Sequence, residues 1–207
     1  MPTTTQFTSA PTPWDVPEIE LINGVGVPKM SPRRRHALLQ GELVERLRTW
    51  AGQSGEVGPE WRFVLVASGS HRTSLVPDVA FVSTARMATL NDAAAEEPPF
   101  APDIAIEIRS PGDRERTIQA KIALYLAHGA RLVLDVDPDR ARIVAHDVDG
   151  LRSFGSNDVL THSAAEGLSI DVGALFAALD PPSHLTTFAI EAATGEGGPN
   201  DAESPYG

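Results

Sequence analysis

The chain has 207 residues, a formal net charge of −11, 42% hydrophobic residues and no cysteine. That length supports one full hydrophobic core and is marginal for two. Disulfides, thiolate metal sites and cysteine nucleophiles are excluded at once, and no apolar run reaches the length of a membrane span.

Residues 1–17 are Thr/Pro-rich with little apolar content and read as a disordered tail. They carry no Lys or Arg and no apolar core, so they do not form a signal peptide, and a cytoplasmic location is the expectation. Glu18 to Met30 predicts a hairpin, because Ile19, Leu21, Val25 and Val27 alternate around the turn signal Asn23-Gly24. Ser31-Pro32 opens a helix over 32–52, with Leu39, Leu43, Leu47 and Trp50 at helical spacing and glycines at its end. Strands are predicted over Trp61–Ala67 and Leu75–Ser83, and a polar loop over Asn91–Pro99.

Asp103–Arg109 predicts a strand whose two faces carry Ile104, Ile106 and Ile108 on one side and Asp103, Ala105 and Glu107 on the other. Ser110-Pro111-Gly112 turns the chain, and Asp113 is placed to cap a helix running to His128, with Gly129 after it. Arg131–Val136 and Arg140–Asp147 predict strands joined by Asp137-Pro138-Asp139. Weaker strand signals follow at 151–154 and 168–170, then a short helix over 171–179. Residues 181–207 read as a second disordered tail, which leaves one domain over 18–180. The pattern is α/β (α+β), a mixed central β-sheet flanked by α-helices.

An acidic protein is not an obvious nucleic-acid binder. Much of the negative charge lies near the two ends of the chain, however: Asp15, Glu18 and Glu20 in residues 1–20 and Glu191, Glu196, Asp201 and Glu203 in 181–207 face no Lys or Arg there. Two local basic clusters remain, Lys29 with Arg33–Arg35, and Arg109, Arg114, Arg116 with Lys121. Either is also accounted for as solvated surface charge.

The candidate chemistry starts with Asp78 and Glu107, acids on strands otherwise rich in Val, Ile and Ala. Two carboxylates about 4 Å apart repel by roughly 4 kcal/mol at an effective dielectric near 20, so a cation between them is expected. The bland alternative ends Asp78 in water and pairs Glu107 with an arginine. Lys121 adds weight to the first reading. The chain has two lysines, Lys29 and Lys121, against fifteen arginines, and Lys121 lies on the helix that packs back over the strand bearing Glu107. Two carboxylates suit Mg2+, which prefers oxygen and keeps part of its water shell, and a lysine can orient the attacking water or neutralise developing charge. No glycine-rich phosphate loop and no Gly-x-Ser-x-Gly elbow is present.

Pro77-Asp78, the strand Ile104-Ala105-Ile106-Glu107-Ile108-Arg109-Ser110-Pro111 and the helix segment Lys121-Ile122-Ala123-Leu124-Tyr125 together resemble the PD-(D/E)xK nuclease superfamily. With Glu20-Leu21-Ile22-Asn23-Gly24, Met30-Ser31-Pro32, His36 and Asp135-Val136-Asp137-Pro138, the set is similar to its bacterial branch of small predicted restriction endonucleases. The resemblance implies a restriction-endonuclease-like fold and a metal-dependent endonuclease, with Asp78 and Glu107 holding Mg2+ or Mn2+ and Lys121 completing the catalytic set. It implies DNA as partner, met by Arg33, Arg34, Arg35, His36 and Arg109, and a homodimer. It offers Glu42, Glu45 or Glu20 as a third acid. In the superfamily's simplest pattern the lysine stands two residues after the acid, where this chain has Arg109. The branch also has acids at the positions of Val25 and Thr117, and aromatics near Leu132 and Leu134. These departures support a rival reading, a catalytically inactive nuclease fold serving as a binding or assembly module. Hydrolysis of RNA or another phosphodiester is a third.

Overall fold

The computed structural model describes residues 19–29, 33–67, 69 and 71–179. The expectations for the tails 1–17 and 181–207, and for Met30-Ser31-Pro32, lie outside the described residues. The hairpin is β1 (Ile19–Ile22) and β2 (Val25–Pro28), turned by Asn23 at φ 49° and Gly24 at φ 81°. Helix α1 (Arg34–Ala51) follows, and its buried stripe is His36, Leu39, Leu43, Leu47 and Ala51.

The next strands divide between two sheets. They are β3 (Gly55–Pro59), β4 (Phe63–Val66), β5 (Thr73–Leu75) and β6 (Val79–Ser83). Two short helices, α2 (Thr84–Met87) and α3 (Asp92–Glu96), lead to β7 (Ile104–Ile108). Helix α4 (Glu115–Ala127) connects β7 to β8 (Leu132–Asp137). Then come β9 (Arg142–Asp147), β10 (Gly150–Phe154), β11 (Val159–His162), β12 (Ala165–Asp171) and α5 (Val172–Ala177).

The central sheet has the order β10-β9-β8-β7-β6-β3, and only its β7–β8 pair is parallel. A parallel neighbour cannot be reached by a tight turn, so the chain crosses over the sheet as α4. A second sheet, β2-β1-β5-β4, stands beside it, and β11-β12 form a separate pair. Ile104, Ile106 and Ile108 bury one face of β7 together with α1, β12 and α5. The opposite face carries Ala80, Val82, Ala105 and Val133, covered by Ile118, Ile122 and Tyr125 of α4 and by Phe63 and Leu75 of the second sheet. The alternation expected for β7 is therefore the alternation observed.

Four sequence expectations need correction. The single strand 75–83 is two strands in different sheets, broken at Val76-Pro77-Asp78. Proline offers no N–H to a ladder, and the freed backbone groups of Val76 are taken by side chains instead: its N–H donates to Glu20 Oε1 at 2.8 Å and its carbonyl accepts from Lys29 at 2.9 Å. Strand β3 occupies a stretch read only as a helix end. Its Gly and Pro are tolerated because it is the sheet's edge, and a side chain at Gly55 would collide with the carbonyl of Val82 and the ring of Phe81. The polar loop 91–99 contains α3, capped by the Asn91 side chain on Ala94 N–H at 2.9 Å. Asp113 does not cap α4. It accepts from the N–H of Ser110 at 2.7 Å and closes the preceding turn, and Arg114 is the N-cap residue.

Candidate active site

Pro77 ends the second sheet's contribution and hands the chain to β6, so Asp78 stands at the junction between the sheets, 3% exposed. Glu107 sits near the end of β7 on the face covered by α4, 4% exposed. Lys121 comes from the middle of α4 and is 5% exposed. All three line one cleft of about 80 Å3, together with Glu20, Lys29, His36, Ser110, Asp113 and Thr117.

Each carboxylate is held from behind. Asp78 Oδ2 accepts from the backbone N–H of Ile108 at 2.6 Å and lies 3.2 Å from His36 Nε2, while Oδ1 faces Lys29 Nζ at 3.0 Å. Glu107 Oε2 accepts from Lys121 at 2.5 Å, and Oε1 accepts from the Tyr125 hydroxyl at 2.7 Å. Lys121 also reaches Glu20 Oε1 at 3.0 Å. Glu60 pairs with Lys29 and is steadied by Gln40, whose amide donates to Glu60 Oε1 at 2.7 Å and to the Asp78 carbonyl at 2.9 Å.

Burial and charge push the two acids in opposite directions. Burial alone would raise Asp78, but His36 and Lys29 hold it down at about 2. Burial raises Glu107 to about 7; Lys121 opposes this, while the charges of Asp78 and Glu20 reinforce it. Lys121 is raised despite burial, chiefly by Glu107 and Glu20, so it is an ammonium and not a proton acceptor at neutral pH. Burial would lower His36, but its hydrogen bond to Asp78 outweighs this and leaves it raised.

The remaining sequence candidates fall in different places. Glu20 joins the cleft. Glu42 and Glu45 do not: they lie on the far part of α1 beside Trp50 and Gly167, because one-helix spacing carries them away from its N-terminal end. Arg109 is committed elsewhere, its guanidinium bonded to both oxygens of Asp135 at 2.7 and 2.6 Å and to Glu115 at 2.6 Å. Arg34 donates to the Leu179 carbonyl and Arg35 to the Pro138 carbonyl, both at 3.1 Å, whereas Arg33 is exposed at the N-cap of α1. Four cluster members were not singled out as site residues from the sequence: Lys29, Gln40, Glu60 and Tyr125. The scarcity of lysine was a usable signal for Lys29. Tyr125 belongs to the helix segment that carries the resemblance, and nothing in local pattern marks Gln40 or Glu60.

A sequence profile for the Uma2 family, described as "Putative restriction endonuclease", matches residues 10–173. The chain belongs to that family. Among solved structures, a crystal structure of a "putative nuclease belonging to DUF820" from Anabaena variabilis ATCC 29413 aligns with TM-score 0.68 and 24% identity, covering 79% of this chain and 92% of that one. That likeness shows the fold, which is restriction-endonuclease-like. A cryo-electron-microscopy structure of a DrdV–DNA complex is similar over 78% of this chain and 13% of that one, at 16% identity and a TM-score of 0.40, too low to carry an argument. No curated protein matches the chain. In this Uma2 chain the two non-acidic positions differ in consequence: Thr117 lines the cleft, whereas Val25 is 64% exposed and does not. Among the described residues, no helix is long and apolar enough to cross a membrane.

Proposed function

We propose that this chain is a metal-dependent endonuclease that hydrolyses phosphodiester bonds in DNA, with Asp78 and Glu107 as ligands of Mg2+ or Mn2+. One observation carries the reading. The buried carboxyl groups of Glu20, Asp78 and Glu107 converge on one cleft, with the ammonium groups of Lys29 and Lys121 and the imidazole of His36 beside them. Carboxylate oxygens are the donors Mg2+ and Mn2+ prefer, and a cation shared between buried carboxyls offsets the burial and like charge that otherwise keep the proton on Glu107 to about pH 7. Among the described residues no three His, Asp or Glu side chains form a ready metal cage. Mg2+ does not require one, because it is commonly bound through one or two carboxylates and keeps several waters.

Such an ion, when bound, would polarise a phosphoryl oxygen and lower the pKa of a coordinated water. The protein's own groups have distinct tasks. Asp78 stays a carboxylate across the working pH range. Glu107 gives up its proton when positive charge arrives beside it. Lys121 keeps its charge close to Glu107 and opposes negative charge developing on the phosphate. Arg33 at the start of α1 and Arg114 and Arg116 at the start of α4 are exposed and would meet the phosphodiester backbone.

The test is nicking of supercoiled plasmid with Mg2+ or Mn2+ and with chelator. Asp78→Asn, Glu107→Gln and Lys121→Met should each lose cleavage while circular dichroism stays that of the parent. Undiminished cleavage by Glu107→Gln overturns the reading. The net charge of −11 favours a second reading, a nuclease fold acting as a binding module. Calorimetric titration separates the two, since absence of Mn2+ binding at millimolar concentration supports the module. Parallel assays with RNA decide the substrate, and sedimentation with and without DNA decides whether two copies pair.

A further inference from the structure

Lys29 has no part in the chemistry proposed above, yet it is the most thoroughly anchored cation on the Asp78 side of the cleft. Its side chain is 14% exposed. Its ammonium reaches the Val76 carbonyl at 2.9 Å, Asp78 Oδ1 at 3.0 Å and Glu60. An ammonium has three N–H donors, and these three acceptors use all of them. None is left for a substrate phosphate.

The arrangement around Lys29 is built. Glu60 adopts φ 52°, the left-handed region that a residue with a Cβ seldom occupies, and Gln40 ties it to the Asp78 backbone. This holds a carboxylate where it can keep the ammonium. On the other side, Asp78 Oδ2 is occupied by the Ile108 N–H and by His36. Oδ1 is thus the oxygen of Asp78 with coordination left to offer, and it is the one Lys29 touches.

Two cations cannot hold one oxygen closely without repelling each other. We infer that Lys29 is a built-in counter-ion that occupies Asp78 in the metal-free protein and withdraws onto Glu60 and the Val76 carbonyl when a divalent cation binds. Lys29 therefore sets the metal concentration at which the site fills. It is a positioning residue that regulates occupancy, not a catalytic one. The inference rests on the metal-dependent reading above.

The experiment titrates Mn2+ into the full chain, following heat by calorimetry and free Mn2+ by its paramagnetic resonance signal. Parent, Lys29→Met and Lys29→Arg are compared. Lys29→Met removes the charge and keeps most of the volume, and is expected to bind Mn2+ about tenfold more tightly or better, with Lys29→Arg close to the parent. In chelator its melting temperature should fall below the parent's, and Mn2+ should restore it. Equal or weaker Mn2+ binding by Lys29→Met, while the parent binds, overturns the inference and leaves the metal reading standing. Binding by none of the three overturns the metal reading, and this inference with it. If Lys29→Met does not fold, Lys29→Gln, whose amide can still donate to Val76, carries the same comparison.

Discussion

Substituting Glu107 by glutamine should abolish cleavage in the presence of Mg2+ or Mn2+ and, above neutral pH, make the metal-free protein more stable. Glu107 is buried beside Asp78 and Glu20, and its proton is held until about pH 7, against an ordinary value of 4.5. The folded protein thus binds this proton more tightly than the unfolded chain does. Its stabilising contribution is complete below about pH 4.5 and is lost as pH rises through about 7. At roughly 1.4 kcal/mol per pH unit, that interval is worth about 3 kcal/mol. Glutamine has no proton to lose, so this part of the pH dependence disappears. Its amide meets Lys121 less well than a carboxylate does, but that cost is the same at every pH and cancels in the comparison. The value of His36 is raised as well, by its hydrogen bond to Asp78, so it too loses stabilisation as pH rises. It is present in both proteins. The assay is thermal unfolding in chelator from pH 5 to pH 8. The parent's melting temperature should fall more steeply than the variant's, and even about 1 kcal/mol of difference amounts to roughly 2–4 °C for a domain of this size. Parallel curves for the two proteins would refute the argument that burial and like charge hold the Glu107 proton.

Tyr125→Phe removes the donor on Glu107 Oε1 and should cost about 2 kcal/mol in urea unfolding at pH 8, with a smaller loss when Glu107 is already glutamine. Arg109→Ala leaves the carboxylate of Asp135, 2% exposed, without its partner; it should destabilise the protein by roughly 3–5 kcal/mol while leaving the salt dependence of DNA binding unchanged. By contrast, Arg33→Ala, Arg114→Ala and Arg116→Ala should barely change stability, and each should lower the slope of log affinity against log salt by about 1 in fluorescence titrations.

The parts of the site legible in the sequence are those fixed by local periodicity. Strand alternation places Glu107 on the face of Ala105 and opposite the three isoleucines, as the two core clusters show. A parallel crossover then returns the next helix over that face, so a polar residue beside its apolar stripe can only point at Glu107 or at the rim. Asp78 was legible as an acid in an apolar run, but not as a sheet junction, because Leu75 and Val79 look alike in sequence and belong to different sheets. Lys29, Gln40 and Glu60 reach Val76 and Asp78 from far along the chain, through the packing of α1 against β6 and the pairing of the hairpin with β5. No window of sequence contains those contacts. Glu42 and Glu45 show the converse error: an acid on the right helix is not on the right part of it.

The displacement of the lysine from its usual place also has a physical account. The position two residues after Glu107 is Arg109, and β7 pairs with β8 in a register that sets Glu107 beside Asp135 on the same face. A cation at 109 therefore has a buried carboxylate within reach, and arginine's planar fork binds both oxygens of Asp135 while a further N–H reaches Glu115 at the start of α4. That clamp fixes the first turn of the helix to the ends of two strands. A compact ammonium could not span those two partners in the same way. Once the fork is committed to that joint, the charge needed beside Glu107 has to come from the other side of the cleft, and the clamped helix is what delivers it. Lys121 is thus placed by Arg109 as well as by its own spacing.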